Sequence, residues 1–64
     1  MPVIRVEMFE GRTDDQKKKL VKELTNSFIN VCGGHAEGVH IVIQEHKKEN
    51  WGVGGILSSE VTST

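Results

Sequence analysis

Pro2 has the most distinctive chemistry in this chain of 64 residues. Once Met1 is trimmed, the nitrogen of Pro2 is a secondary amine instead of an amide. A terminal amine has an ordinary pKa of about 7.7–8, and burial or nearby cations lower that pKa. An amine held in a dry pocket would be neutral at pH 7 and could accept a proton. Pro2 is therefore a candidate general base, although proline at position 2 is a weak signal by itself.

Arg12 is the second candidate, because it follows a predicted strand and lies in the turn Glu10-Gly11-Arg12. A guanidinium there could bind a carboxylate through two parallel hydrogen bonds. The plainer interpretation is a solvated turn residue, since charged side chains in turns are mostly exposed. Trp51, the only tryptophan, precedes a glycine-rich stretch and could be either a pocket wall or an interface anchor.

Metal and cofactor chemistry find little support in the sequence. The possible soft ligands follow no usual zinc spacing: Cys32, His35, His40 and His46. We therefore expect no metal, and we expect Cys32 to pack as a small apolar residue at a helix end. The Gly52–Gly55 stretch lacks the spacing of a dinucleotide site, so no cofactor is expected.

The elements that must position these residues follow from hydropathy and capping signals. Residues 2–9 alternate like a strand, with Ile4, Val6 and Met8 on one face. Thr13 and Gln16 form the Thr-x-x-Gln pattern of a capping box, which predicts a helix that ends at Gly33-Gly34. Its predicted apolar stripe comprises Leu20, Leu24, Phe28 and Val31, widened by Val21 and Cys32.

A second strand is predicted over residues 39–44, followed by a polar loop over 45–50. Strand, long helix and strand in this order indicate a parallel, right-handed βαβ unit, of class α/β (α+β). Residues 51–55 predict a small hairpin or a strand-like lip. Ile56, Leu57 and Val61 could dock on a neighbouring surface, and residues 62–64 should be a loose polar tail.

Length and charge limit the function further. With 64 residues we expect one domain over 1–64, whose stability alone would be marginal because it buries little surface. Two uncovered strand edges predict self-association. Eight basic against nine acidic residues do not favour nucleic acid or a membrane as partner. One cysteine and no visible signal peptide favour the cytoplasm.

Taken together, the ordered motifs resemble the 4-oxalocrotonate tautomerase family, within the superfamily that includes macrophage migration inhibitory factor. The resemblance covers nearly the whole chain and is carried by these stretches: Met1-Pro2, Phe9 to Lys17, Val39 to Glu45 and Trp51 to Gly55. It implies a βαβ protomer with a C-terminal hairpin, assembled as a hexamer in which neighbouring subunits complete each site. It further implies Pro2 as general base, Arg12 as a carboxylate ligand and Trp51 as a pocket wall.

One departure from the family pattern concerns His40, which stands where familiar members carry an arginine that polarises the substrate carbonyl. Histidine is shorter and mostly uncharged at pH 7, so it can donate a hydrogen bond but stabilises less charge. Gly38 similarly stands where the family has a serine. We therefore expect a cofactor-free keto–enol tautomerase, an isomerase and homohexamer, that binds a small carboxylate substrate through Arg12, His40 and Trp51.

Two alternatives to this function stay open. One is a non-catalytic or partner-dependent subunit of a hetero-oligomer, in which the partner supplies the missing arginine. The other is a dehalogenase or hydratase relative, which would use an acidic residue to activate water. Val53 occupies the position in the lip where that acid would be expected, which argues against the second alternative.

Overall fold

A computed structural model describes residues 1–61 and contains a β-α-β unit followed by a short hairpin. Strand β1 spans Val3–Phe9, helix α1 spans Asp14–Cys32 and strand β2 spans His40–His46. β1 and β2 pair in parallel and form a two-stranded sheet. The predicted βαβ fold is confirmed, with β1 beginning one residue later than predicted.

Helix α1 begins and ends where its capping residues predict. The Thr13 hydroxyl accepts a hydrogen bond from the Gln16 backbone at 3.1 Å, and the Gln16 side chain accepts one from the Thr13 backbone at 2.9 Å. Gly33 and Gly34 end the helix with φ of 81° and 101°, a region that suits glycine. Among residues 1–61, no helix is both long and apolar enough to cross a membrane.

One face of the sheet packs against α1. The sheet side chains on that face are half-buried and alternate with exposed ones: Ile4, Val6, Met8, Ile41 and Ile43. The last turn of α1 does not share in this contact, since Val31 is 84% exposed and Cys32 is also exposed. A helix of 19 residues is about 28 Å long and a strand of 7 residues about 23 Å, so α1 overhangs the sheet. Placing Val31 and Cys32 in the packed stripe was wrong for the single chain.

The second strand is longer than predicted, because Glu45 and His46 extend β2 and do not begin a loop. Beyond it, a short 3₁₀ turn at Lys48–Asn50 leads into the hairpin of β3, Gly52–Val53, and β4, Ile56–Leu57. Both glycines between these strands have positive φ, the backbone of a type I′ turn. The predicted hairpin is confirmed, although it extends beyond residues 51–55 to Leu57. The predicted loose tail, 62–64, lies outside the described residues.

The single chain has no interior. None of residues 1–61 is fully buried, and the radius of gyration is 15.1 Å, against about 10.7 Å for a compact chain of this length. Val3 and Val42 lie exposed on the sheet face that α1 leaves open. The hairpin exposes three further apolar side chains, those of Val53, Ile56 and Leu57. Within residues 1–61, no helix or strand covers the open face of the sheet or the apolar side chains of the hairpin.

Candidate functional site

Pro2 and His40 lie side by side where the two strands begin. The Pro2 carbonyl accepts a hydrogen bond from the His40 backbone N–H at 2.9 Å, which adds one step to the parallel ladder. Pro2 is half-buried, and His40 is exposed, opposite Val3 in the register. The strand pairing thus joins a candidate base and a candidate hydrogen-bond donor that are far apart in sequence.

Arg12 lies beyond the other end of β1, in the turn that leads to α1. Gly11 has φ of 122° there, so the turn needs a glycine just before the arginine. The guanidinium is exposed, and its nearest hydrogen-bond acceptor is the Phe9 carbonyl at 3.5 Å, a long contact. Arg12 makes no salt bridge within residues 1–61. Its donors are therefore available to an external anion.

Trp51 lies at the same end of the sheet as Arg12. Its ring packs edge-on against Phe9, with ring centroids 4.9 Å apart, and against His46, with centroids 5.4 Å apart. We call these three side chains the aromatic cluster. The Trp51 carbonyl also accepts a hydrogen bond from Ser58 at 2.7 Å, which fixes the base of the hairpin. Trp51 is half-buried in the single chain, so part of the indole remains available for contact.

The predicted site residues therefore form two pairs at opposite ends of the sheet. Pro2 and His40 stand at one end, and Arg12 and Trp51 at the other. Seven residue steps separate Pro2 from Phe9, which corresponds to about 23 Å along a strand. A small 2-oxo acid is several-fold shorter than that distance. No pocket is enclosed by the described part of the single chain, so one protomer does not bring the two pairs together.

One salt bridge and one hydrogen bond hold two side chains on β2, Glu45 and His46, that the sequence predicted to lie in a loop. Lys17 donates to the Glu45 carboxylate at 2.7 Å and so ties the first turns of α1 to the end of β2. This hydrogen bond, strengthened by the charge of Glu45, raises the pKa of Lys17. His46 Nε2 lies 2.9 Å from a Glu7 carboxylate oxygen on the open face.

Glu7, Phe9 and His46 belong to the surroundings of Trp51, and none of the three was predicted to lie there. A signal for Phe9 was present, since it alternates onto the open face with Arg5 and Glu7. No such signal was present for His46, which was predicted to lie in a loop. Its position follows from the extension of β2 to His46. The possible metal ligands remain dispersed, and no group of three or more such side chains gathers among residues 1–61.

Comparison with protein-family models finds one match that covers most of the chain. The tautomerase family, described as tautomerase enzyme, matches residues 2–60. Among curated proteins, a probable tautomerase of Staphylococcus haemolyticus is 42% identical over 60 residues, 94% of this chain and 97% of that protein. A probable tautomerase of Listeria monocytogenes is 41% identical over 61 residues, 95% of this chain and all of that protein.

Solved structures give the same result for the fold. YwhB, a homologue of 4-oxalocrotonate tautomerase, superimposes with a TM-score of 0.91 at 34% identity, covering 95% of this chain and 100% of that one. A heterohexamer 4-oxalocrotonate tautomerase from Chloroflexus aurantiacus superimposes with a TM-score of 0.89 at 32% identity, covering 97% and 100%. The β-α-β unit and the hairpin are thus similar to those of solved tautomerase homologues.

Proposed function

Because the chain belongs to the tautomerase family, we propose that it is a cofactor-free keto–enol tautomerase acting on a small enol or 2-oxo carboxylic acid. The observation that carries the proposal is the family match over residues 2–60, which begins at Pro2 itself. The position of Pro2 supports this proposal, since Pro2 is half-buried and its carbonyl is held at the start of β1 by a backbone hydrogen bond.

In this proposal the amine of Pro2 is the general base. The neutral amine accepts the proton of an enol hydroxyl, or one from carbon next to a carbonyl, and returns it elsewhere on the same π-system. No electron is gained or lost, so no cofactor enters the reaction. A well-placed general base contributes about 10²–10⁴-fold to the rate. The amine exists only after Met1 is removed, and Met1 is 88% exposed and open to a peptidase.

The other candidate residues bind the substrate in this proposal. Arg12 holds the carboxylate, His40 donates a hydrogen bond to the carbonyl oxygen, and Trp51 keeps water away. Hydrogen bonds to the developing enolate oxygen lower the barrier most when they stand in a dry site. Because Arg12 is the only arginine or lysine among these candidate residues, we propose that monocarboxylate enols, such as those of arylpyruvates, are preferred over dicarboxylate dienols.

The separation of about 23 Å along the strand from Pro2 to Phe9 supports a site in which different chains supply the two pairs of residues. We propose a homohexamer, in which Arg12 and Trp51 of one chain face Pro2 and His40 of another. Support comes from the sheet, whose two strands both have a free edge, and from the apolar side chains of the open face and hairpin. Apolar surface of that kind is typical of contacts between subunits.

The test of the base is a pH–rate profile on protein whose N-terminus has been read by mass spectrometry. Trimmed protein should gain activity as the pH rises, because only the neutral amine accepts a proton. Its midpoint should lie below the ordinary value of about 7.7–8 for a terminal amine. Protein that retains Met1 is the matched control and should be inactive, because its Pro2 nitrogen is an amide. Full activity with intact Met1 would exclude Pro2 as the base.

One observation favours a second function, that of a subunit in a hetero-oligomer. The Chloroflexus aurantiacus neighbour is described as a heterohexamer, and His40 stands where an arginine is expected from the family resemblance. In that case the purified chain would be inactive alone and active with a partner chain that carries the arginine. Activity of the purified homo-oligomer would exclude this function.

A further inference from the structure

A continuous series of contacts on the open face of the sheet leads from Glu7 through His46 to Trp51. The Glu7 carboxylate lies 2.9 Å from His46 Nε2, and the His46 ring packs against the indole at 5.4 Å and 67°. Phe9 also packs against the indole, with ring centroids 4.9 Å apart and an interplanar angle of 61°. Glu7 and His46 come from neighbouring strands, 39 residues apart in sequence.

The hydrogen bond to Glu7 fixes the orientation of the His46 ring. An ionised carboxylate can only accept, so Nε2 carries the hydrogen in this pair. With Nε2 held at one edge, the imidazole cannot turn about its own bond without losing that contact. The indole then meets a ring in one defined plane. If His46 were free to turn, Phe9 would be the one remaining ring among residues 1–61 that packs against Trp51 in a fixed orientation.

The pair is too exposed to matter much for overall stability. The Glu7 side chain is 55% exposed and the His46 side chain 27%, and ion pairs in such positions contribute little to folding. Edge-to-face aromatic contacts add to the burial of the rings and depend on their geometry. We therefore expect the Glu7–His46 hydrogen bond to affect the position of the Trp51 indole more than the stability of the fold.

We propose that His46, anchored by Glu7, is a positioning residue that fixes the Trp51 indole as an apolar wall for the substrate. This inference rests on the proposed function in one respect only, that Trp51 faces the substrate. A fixed indole suits a flat or aryl substituent next to the carboxylate. A loose one would bind such a substituent less tightly.

The first readout is the fluorescence of Trp51, which is specific because the chain has one tryptophan and no tyrosine. Acrylamide quenching should increase in Glu7→Ala, where the anchor is lost, and in His46→Phe, which keeps a ring but has no nitrogen to bond. The double variant should be no worse than either single variant, because both cut the same hydrogen bond. Glu7→Gln should show the same quenching as wild type, since the glutamine amide oxygen can still accept the hydrogen bond from His46.

The matched control is Gln44→Ala, which removes an exposed polar side chain directly opposite Glu7 in the register. It should leave Trp51 quenching unchanged. Sedimentation of each variant shows whether the assembly is intact. If Glu7→Ala fails to assemble, the comparison of His46→Phe with Glu7→Gln still decides the question. Equal quenching in wild type, His46→Phe and Glu7→Ala, or additive effects in the double variant, would overturn the proposal.

The second readout is kinetic and separates positioning from a general structural role. With an aryl-substituted enol, KM should rise by about two- to tenfold in Glu7→Ala while kcat changes little, because a binding contact is weakened. A substrate without the aryl group should show no such rise. A fall in kcat alone would contradict the positioning role. The fluorescence result does not depend on activity, so failure of the proposed function and failure of this inference are distinguishable.

Discussion

Activity should be recovered when two inactive forms of the chain are combined in one oligomer. The first form is Arg12→Ala, which loses the carboxylate ligand. The second is otherwise wild-type chain that retains Met1, so that its Pro2 nitrogen is an amide and cannot accept a proton. Each form alone lacks one half of every site. On one chain about 23 Å of strand separates Pro2 from Phe9, which lies next to the turn that carries Arg12, so in the proposed oligomer a complete site takes one half from each of two chains.

The expected size of the recovery follows from random assembly. In an equal mixture, half the chains offer an intact Pro2 and the other half an intact Arg12. A site is complete when both of its contributors are intact, so about one quarter of the sites in a symmetric oligomer should be active. If one chain supplied both residues to the same site, no mixture would contain an intact site and no activity would return.

The assay requires that subunits exchange, so the two forms are unfolded together, refolded and checked for mixed oligomers by native mass spectrometry. Tautomerisation of a monocarboxylate enol is then measured. The control is the same mixture combined without unfolding, which should stay inactive while subunits do not exchange. Mixed oligomers with no activity above that control would refute the assignment of Pro2 and Arg12 to one shared site.

Three further predictions follow from the same structure. Sedimentation at micromolar concentration should find an oligomer, because no residue among 1–61 is fully buried in the single chain; a folded monomer would contradict this. His40→Arg should shift substrate preference towards dicarboxylates, since a second fixed cation is added, and an unchanged ratio of kcat/KM values would refute the role of His40. Glu45→Gln should lower the Tm slightly at pH 7, because the pKa of Lys17 is raised by its bond to Glu45. A raised pKa contributes stability that is lost as the pH rises through it, so wild type and Glu45→Gln should converge in strongly alkaline buffer. An equal difference at all pH values would exclude this explanation.

Local signals sufficed for much of the fold. The alternation of residues 3–9, the Thr13–Gln16 capping box and the paired glycines after the helix each act over a few residues, and each is present as predicted. The end of β2 was missed because Glu45 and His46 are polar. Their partners lie 28 and 39 residues away in sequence, and no local pattern carries that information.

The site residues could be predicted from their chemistry and from the family resemblance. Their arrangement in space could not be predicted in this way. Pro2 next to His40 is a consequence of strand register, which depends on how two distant segments pair. The overhang of α1, which leaves Val31 exposed, depends on the relative lengths of a helix and a strand. Neither the strand register nor the overhang of the helix can be predicted from a short stretch of sequence.

The missing interior of the single chain has a consequence for how the protein is made. In the proposed oligomer, a newly synthesised chain would not finish folding by itself, because the surfaces that cover its open face and hairpin would belong to other chains. Its folding is then a reaction of higher order, whose rate depends on how often unassembled chains meet. At low synthesis rates each chain would wait longer with its apolar side chains exposed to proteases. The amount of active protein should therefore rise more steeply than the amount of chain produced.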